Sequence, residues 1–397
     1  WDTTTGTQEV IVAVIDTGIL SRHPDLEGQM VPGFDFVRSP ASAADGDGID
    51  PDPEEPSTGS GISGNNFHGT HVAGTVAARG NNGVGVAGVA YSTRIMPVRA
   101  LGIDGSGTSY DVNQAIRYAA ALPNDSGTVP EQAADVINLS LGGAGFSAVD
   151  QALFSDLHAA GILVVAAAGN EGSSIASYPA AYEGVFSVSA VDAQGQITRY
   201  SNRGNTIDIA APGGDASADF NGDGYPDGVL STGGSGNDFA YTFLSGTSMA
   251  APHVAGVFAL MKSVNAALDS TDIEALLSRG DITDDVGTPG RDSDYGYGLI
   301  NAQRAVDAAL NLAGEDNPAV AAITASTNLI SFGGALTNLT LGINRAVSGQ
   351  LSVTRVEASE PWLSVSTSEV DAVGLGLYNV TIDRGLLGDG VNSGEIT

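Results

Sequence analysis

Cysteine is absent from the 397 residues, which excludes disulfides and thiol chemistry. It does not fix a compartment, since many exported proteins also lack it. Basic residues are scarce: 15 Lys and Arg stand against 46 Asp and Glu, a net charge of −31. That balance argues against nucleic acid or an anionic membrane surface as a partner, and for solubility, salt tolerance or bound cations. No apolar run approaches the ~20 residues needed to cross a bilayer, so no membrane partner is expected. There is no start Met and no charged-then-apolar leader; Trp1 opens on Asp2, Thr3 and Thr4, which reads as a mature form or a fragment.

What is present is enough for a large core. Hydrophobic residues make up 42% of the chain, and its length favours two domains. Glycine is abundant, at 54 residues, with no collagen period, so many tight turns and close backbone approaches are expected.

Val10 to Ile15 is a nearly continuous β-branched run ending at Asp16, Thr17 and Gly18, the pattern of a parallel strand buried on both faces. Similar runs recur at Arg94–Ala100, Ala134–Leu141, Ile162–Ala168 and Val185–Val191. Helical patterns at His71–Arg79, Tyr110–Ala121 and Ala148–Ala160 separate several of them. The alternation predicts an α/β fold with a doubly wound, mostly parallel sheet. In such sheets the chemistry collects beyond the carboxyl ends of the strands, where Asp16 and Asn170 fall.

A last amphipathic helix, Leu299 to Leu312, closes the expected first domain, residues 1–312; residues 313–318 read as a linker. From 319 to 397 the texture becomes alternating Thr, Val, Ile and Leu with turn residues, which predicts a small all-β sandwich domain, incomplete at its end.

Gly246-Thr247-Ser248 runs into an apolar helical pattern, Ala250 to Met261, and puts Ser248 at a helix N-terminus. Unpaired N–H groups and the helix dipole favour developing negative charge there. Pro252 is tolerable only near such a helix start. Taken singly, each motif has a bland reading. Ser248 is a helix cap, Asp16 a turn former, His68 and His71 structural histidines, and Asn170 a residue of a strand-ending turn. A zinc reading of His68 and His71 needs His-Glu-x-x-His, which the sequence lacks. Their co-occurrence is what carries weight.

Together, Val12–Gly18, His68–Ala78 and Gly246–Gly256 resemble the Asp, His and Ser motifs of subtilisin-like serine peptidases, in that family's chain order, over residues 1–312. The resemblance implies Ser248 as nucleophile, His68 rather than His71 as general base and acid, and Asp16 as the orienting carboxylate. It implies an oxyanion hole from the Asn170 amide and the Ser248 N–H. Gly105, Ser106, Gly107 and Ser140, Leu141, Gly142 are similar to the segments that pair with an extended substrate. Ala167, Ala168, Gly169 and Ser177 would wall the pocket for the residue before the scissile bond, suited to apolar or aromatic side chains. Glu171 at its mouth either tolerates Lys or Arg there or is an exposed loop carboxylate.

Asp219, Asn221, Asp223, Tyr225 and Asp227 offer oxygens at alternate positions around Gly224, resembling half of an EF-hand loop and predicting structural Ca²⁺. Asp45, Asp47, Asp50 and Asp52 repeat the spacing. A third site comes only from the resemblance: Asp25, the Asn82 side chain, and the carbonyls of Gly80, Val84 and Val86. In the family an N-terminal residue also ligates, and a chain read from Trp1 is not expected to provide it.

The sequence is therefore read as a secreted, extracellular, calcium-stabilised endopeptidase acting on protein and peptide substrates. A monomer is expected, with an N-terminal propeptide assisting its folding, so the chain alone should refold poorly. The C-terminal domain resembles BACON-like β-sandwich appendages, on Val353–Trp362 and Gly376–Arg384. The competing class is a catalytically silent binding protein. An α/β-hydrolase lipase is disfavoured because Gly246-Thr247-Ser248-Met249-Ala250 is not Gly-x-Ser-x-Gly.

Overall fold

The computed structural model describes residues 1–56, 67–235, 238–316, 323–325, 332, 336–345, 353, 356, 358–388, 392, 394 and 396. Contacts divide the chain into two compact units, Trp1–Ala309 and Leu310–Thr397.

In the first unit, nine strands form one sheet. In chain order they are β1 (Ile11–Asp16), β2 (Phe34–Asp35), β3 (Arg94–Arg99), β4 (Val136–Leu139), β5 (Leu163–Ala167), β6 (Val185–Val191), β7 (Ile209–Pro212), and then β10 (Thr283–Asp284) and β11 (Leu299–Ile300) after a hairpin. That hairpin is β8 (Val229–Ser235) and β9 (Asp238–Leu244). The spatial order is β10-β11-β7-β6-β5-β4-β1-β3-β2, parallel except for the β10–β11 pair. β1 stands between β3 and β4, so the winding reverses at its carboxyl end, and the crevice opens where Asp16 sits.

Why β1 is central follows from its side chains: all six residues are buried. Ile11, Ala13 and Ile15 pack with Ile116 and Ala119 of one helix and Leu153, Phe154 and Leu157 of another. These lie in α3 (Ser109–Ala119) and α4 (Ala148–Ala159), which follow the short α1 (Pro40–Ala43) and α2 (His68–Ala77). Alternate residues of a strand face opposite ways, so Val12 and Val14 look toward the other layer. That layer is α2 and α5 (Thr247–Val264), which pack on one another and on β1. α6 (Ser270–Ser278) and α7 (Ala302–Asp316) follow. α7 continues to Asp316, past the Leu312 at which the sequence pattern ends it: the apolar stripe stops, but the backbone ladder does not. Asn317 and Pro318 of the expected linker lie outside the described residues.

Among the described residues, the second unit contains β12 (Ile323–Ala325), β13 (Asn338–Arg345), β14 (Leu363–Val370) and β15 (Gly376–Ile382), with a 3-10 turn at Arg384–Leu386. They form one antiparallel sheet, β12-β13-β15-β14, with Leu341, Ile343, Leu363, Tyr378, Val380 and Ile382 buried on it. Among the described residues there is this one sheet, where the sequence predicts a sandwich.

Gly69, in the first turn of α2, shows how closely the layers meet at the crevice. A Cβ on it would lie 2.3 Å from the Gly18 carbonyl oxygen and 3.0 Å from the Asp16 Cβ. Backbone cannot yield cheaply, so Gly69→Ala is expected to destabilise by roughly 1–3 kcal/mol. A thermal melt should show a Tm several degrees lower.

Candidate active site

Asp16 ends β1 with its side chain wholly buried. A carboxylate so placed needs hydrogen bonds, and Oδ1 accepts two, from the Thr17 N–H and from His68 Nδ1, each at 2.8 Å. That second bond fixes the His68 tautomer, with the proton on Nδ1 and Nε2 free to accept. His68 is the first residue of α2, and 27% of its side chain is exposed to the cleft. Burial disfavours the imidazolium, but the Asp16 charge and hydrogen bond, with Glu55 behind them, raise the pKa above the ordinary 6.5. His71, one turn on, is fully buried and neutral; burial lowers its pKa to about 4. Its Nε2 meets the carbonyls of Val229 and Thr242 at 3.0 and 3.2 Å and holds the β8–β9 hairpin to α2.

Ser248 is the second residue of α5, and its hydroxyl donates to the Ser140 carbonyl at 3.2 Å. Among the described residues it makes no hydrogen bond to His68, although both line one cavity of about 710 Å³. Such contacts are often loose before substrate binds. Pro252 sits in the second turn of α5, deeper than its tolerance at a helix start predicts. Lacking an N–H, it leaves the Ser248 carbonyl without its helical partner, and the Ser140 hydroxyl takes that place at 2.7 Å. The proline thereby ties α5 to the segment after β4.

Asn170 follows β5. Its Oδ1 accepts from the Thr247 N–H at 2.8 Å and the Thr247 hydroxyl at 2.9 Å, so Nδ2 is turned the other way. That hydroxyl also accepts from the Gly169 N–H at 3.1 Å. Asn170 lines the same cavity as Ser248 and His68.

Gly105, Ser106, Gly107, Ser140, Leu141 and Gly142 line this cavity as well. Among the described residues, no hydrogen bond engages the N–H of Gly107 or of Gly142, so each segment offers an open donor. Gly107 cannot be larger: a Cβ would lie 2.5 Å from the Ala100 oxygen. A second cavity, of about 360 Å³, lies beside Ser248 and is lined by Ala167, Gly169, Ser177 and Glu171. Ala168, expected in that wall, is not part of it; alternation along the extended chain sends it away from its neighbours, and its carbonyl accepts from Asn202 Nδ2. The Glu171 carboxylate also accepts from Asn202 Nδ2, at 2.8 Å.

Sequence reading passed over Glu55. It is 1% exposed, and its two oxygens accept from the hydroxyls of Thr17 and Thr70, the latter at 2.5 Å. Those hydroxyls accept in turn from the N–H groups of Gly69 (3.0 Å) and Leu20 (2.9 Å). One buried carboxylate thus stitches the Asp16 segment to the His68 segment. Burial raises its pKa to about 7 against the pull of both threonines. Only the neighbouring acidic run signals it in sequence.

The acidic stretches fold differently from one another. Asp35 from β2 joins Asp45 and Asp50, with one oxygen from each within 4.8 Å of the others, whereas Asp47 and Asp52 stand outside this cluster. Arg99, wholly buried, donates to Asp35 at 2.7 Å, to Asp45 and to the carbonyls of Ala43 and Thr17. The expected set of four is thereby corrected: an internal guanidinium already supplies one positive charge, and burial still raises the Asp35 pKa to about 7. In the loop Asp219–Asp227, the Asp219 carboxylate accepts from the N–H groups of Gly222, Asp223 and Gly224. Asn221 and Asp223 accept from Asp223 and Tyr225, and Asp227 from Phe220, so the loop curls around its oxygens. At Asp25, Oδ1 accepts from Asn82 Nδ2 at 2.6 Å and Oδ2 from the Val86 N–H at 2.9 Å. The Asn82 oxygen, expected as a ligand with the Gly80, Val84 and Val86 carbonyls, is turned to the Val84 N–H instead.

With this geometry in place, comparison with known proteins is informative. The family profile described as "Subtilase family" matches residues 7–298. The chain belongs to the subtilase family. It is 40% identical to "Thermophilic serine proteinase" of Bacillus sp. (strain AK1), covering 77% of this chain and 64% of that one. It is also 40% identical to "Extracellular protease" of Xanthomonas campestris pv. campestris, covering 78% and 53%. A solved structure of a protease from Pseudoalteromonas arctica PAMC 21717 is similar with a TM-score of 0.70 and 40% identity, covering 78% of this subtilase and 92% of that chain. The chain thus spans between half and two thirds of the length of these two curated relatives. Among the described residues, no helix is long and apolar enough to cross a membrane.

The raised His68 pKa has a kinetic consequence. A histidine that serves as a base must be neutral to accept a proton, so with His68 in that role kcat/KM is expected to fall as pH drops through a value above 6.5. Glu55 itself titrates at about 7, so Glu55→Gln removes a neighbour that is only partly charged over this range and should move that acid limb downward by a small amount. A pH–rate profile of both proteins checks this; an unmoved limb with intact turnover contradicts it.

Proposed function

We propose that this subtilase is a secreted serine endopeptidase that cleaves proteins and peptides through an acyl-enzyme. The observation that carries the reading is the convergence of His68, Asn170 and Ser248 on one open cleft, with buried Asp16 hydrogen-bonded to His68 behind it.

A peptide lies extended between Gly105–Gly107 and Ser140–Gly142, with the stretch before the scissile bond held there and its last side chain in the cavity beside Ser248. The Ser248 hydroxyl attacks the scissile carbonyl carbon and gives its proton to His68 Nε2. The carbonyl oxygen becomes an oxyanion bonded by Asn170 Nδ2 and the Ser248 N–H. His68 then protonates the leaving amine, and the C–N bond breaks to leave an ester on Ser248. Water, deprotonated by His68, attacks that ester and returns the serine hydroxyl. Asp16 orients the imidazole and stabilises its cationic form throughout.

Ca²⁺ is the structural cofactor in this reading. The Asp219–Asp227 loop fits it best, because all its donors are hard oxygens at alternate positions. The Asp35–Asp45–Asp50 cluster is the second candidate, with its charge partly met by Arg99. At Asp25 an ion would have to displace protein donors that already bond the carboxylate. The names of relatives as extracellular proteases support export, and the family supports a propeptide that assists folding. We further propose residues 1–312 as the catalytic domain and 319–397 as a β module, with the linker read at 313–318 helical as far as Asp316, the whole acting as a monomer.

Two experiments test this. Asn170→Ala is expected to lower kcat on an internally quenched peptide by roughly 10²–10³ with KM little changed. An unchanged kcat contradicts the oxyanion role, and a wild type that cuts no peptide favours the silent binding protein instead. Chelation of Ca²⁺ is expected to lower the Tm and to hasten autolysis, with Asp219→Asn showing a smaller chelator effect than wild type; a melt indifferent to chelator contradicts the ion.

A further inference from the structure

The larger cleft does not end at Ser248. Beyond Gly107 and Leu141 it deepens between α3 and α4, onto Ile116, Phe154, Tyr178 and Tyr182. These aromatic rings form one cluster: Tyr178 and Tyr182 are 4.6 Å apart between centroids, and Phe154 and Tyr182 are 5.1 Å apart. Phe146, 61% exposed, extends the cluster outward at 5.9 Å from Tyr178. Apolar walls alone would describe a pocket for an aliphatic side chain. One residue in the lining does not fit that description.

Asp150 lies in the first turn of α4, where its N–H donates to the Ser147 hydroxyl at 3.3 Å. That backbone cap accounts for the turn but leaves the carboxylate unexplained. The carboxylate lines the cleft and accepts from Asn113 Nδ2 at 2.8 Å and from the Tyr182 hydroxyl at 3.3 Å. Both donors are neutral, and each oxygen keeps a further lone pair. Among the described residues, no Lys, Arg or His pairs with Asp150, and neither Lys nor Arg lines the cleft. The other acid in the lining, Asp104 on the rim, adds to the negative field rather than answering it.

We propose that Asp150 makes this inner part of the cleft a subsite for a Lys or Arg side chain of the substrate, N-terminal to the scissile bond. The inference rests on the endopeptidase reading and adds a charge selection to it. The chemistry is complementary in both halves of such a side chain. Its methylene stem lies along the aromatic faces, where a cation also gains from the ring quadrupoles. Its head reaches a carboxylate whose neutral partners fix its orientation without neutralising it. Arg matches the two carboxylate oxygens with its planar fork; Lys presents a single point charge. A substrate Glu at the same position meets uncompensated like charge and is disfavoured.

The test uses internally quenched peptides in which each of the four positions before the scissile bond is varied in turn among Arg, Lys, norleucine and Glu. Wild type is expected to prefer Arg or Lys over norleucine by roughly tenfold in kcat/KM at one position, and by less at high salt. In Asp150→Asn that ratio should fall to near one, whereas Asp156→Asn, an exposed acid on the same helix, should keep it. A wild type that turns over the peptides with no basic preference at any of the four positions overturns the subsite and leaves the endopeptidase reading standing. A preference that survives in Asp150→Asn, or that is unaffected by salt, also overturns it. If Asp150→Asn does not fold, the wild-type series and its salt dependence decide the matter alone. No turnover of any peptide overturns both proposals together.

Discussion

The hydrogen bond between Asp16 and His68 is the constraint to which the surrounding structure answers. It joins the carboxyl end of the central strand to the first residue of a helix 52 positions away in the chain. Asp16 is buried, so its charge is tolerable only with firm donors, and both known ones come from its immediate surroundings. A second buried acid, Glu55, stands behind the pair and holds Thr17 and Thr70 in register. The close passage of Gly69 against Gly18 then follows, because no longer approach would bring the ring to the carboxylate. Two acids at one buried place raise each other's cost, and this arrangement persists because each oxygen but one, Asp16 Oδ2, has a hydrogen-bond partner among the described residues.

The other side of the cleft is organised by the start of α5. Thr247 orients Asn170, and Ser140 takes the carbonyl that Pro252 frees. A residue that ordinarily breaks a helix here supplies the acceptor that fastens the helix to β4's following segment. Asp16, His68 and Ser248 are therefore mounted on the ends of regular elements, with Asn170 just beyond another, and each is held by a hydrogen bond to a neighbouring segment.

Much of this was legible in the sequence. Buried β-branched runs located β1, β3, β4, β5 and β6 within two residues at each end, because these strands are buried on both faces, whereas the short β2, β7 and β11 gave no such run. The Asp, His and Ser segments announced themselves by local pattern. What escaped was long-range pairing. Glu55 looks like one more acid in an acidic stretch until Thr17 and Thr70 close around it. Asp35 and Arg99 carry no local signal, yet they reorganise the acidic insert by placing a guanidinium inside it. The β8–β9 hairpin is partly exposed, and the alternation of Phe239, Tyr241 and Phe243 along β9 is a strand signal that the sequence reading misses. Ala168 failed for a simpler reason: a run of three small residues does not reveal which of them faces the pocket.

Charge has a consistent logic across the first unit. Lys262 is the only lysine in the sequence, and it is buried, donating to the carbonyls of Ala266 and Leu268 at 3.0 Å each. Exposed positive charge thus comes from arginines, outnumbered by carboxylates that face solvent or the cleft. The most direct measurement of whether the cleft is an assembled catalytic centre is intact mass after incubation with a fluorophosphonate, beside Ser248→Ala. One covalent adduct on the wild type and none on the folded variant is the expected result. An unlabelled, folded wild type, or equal labelling of both proteins, would contradict an activated Ser248.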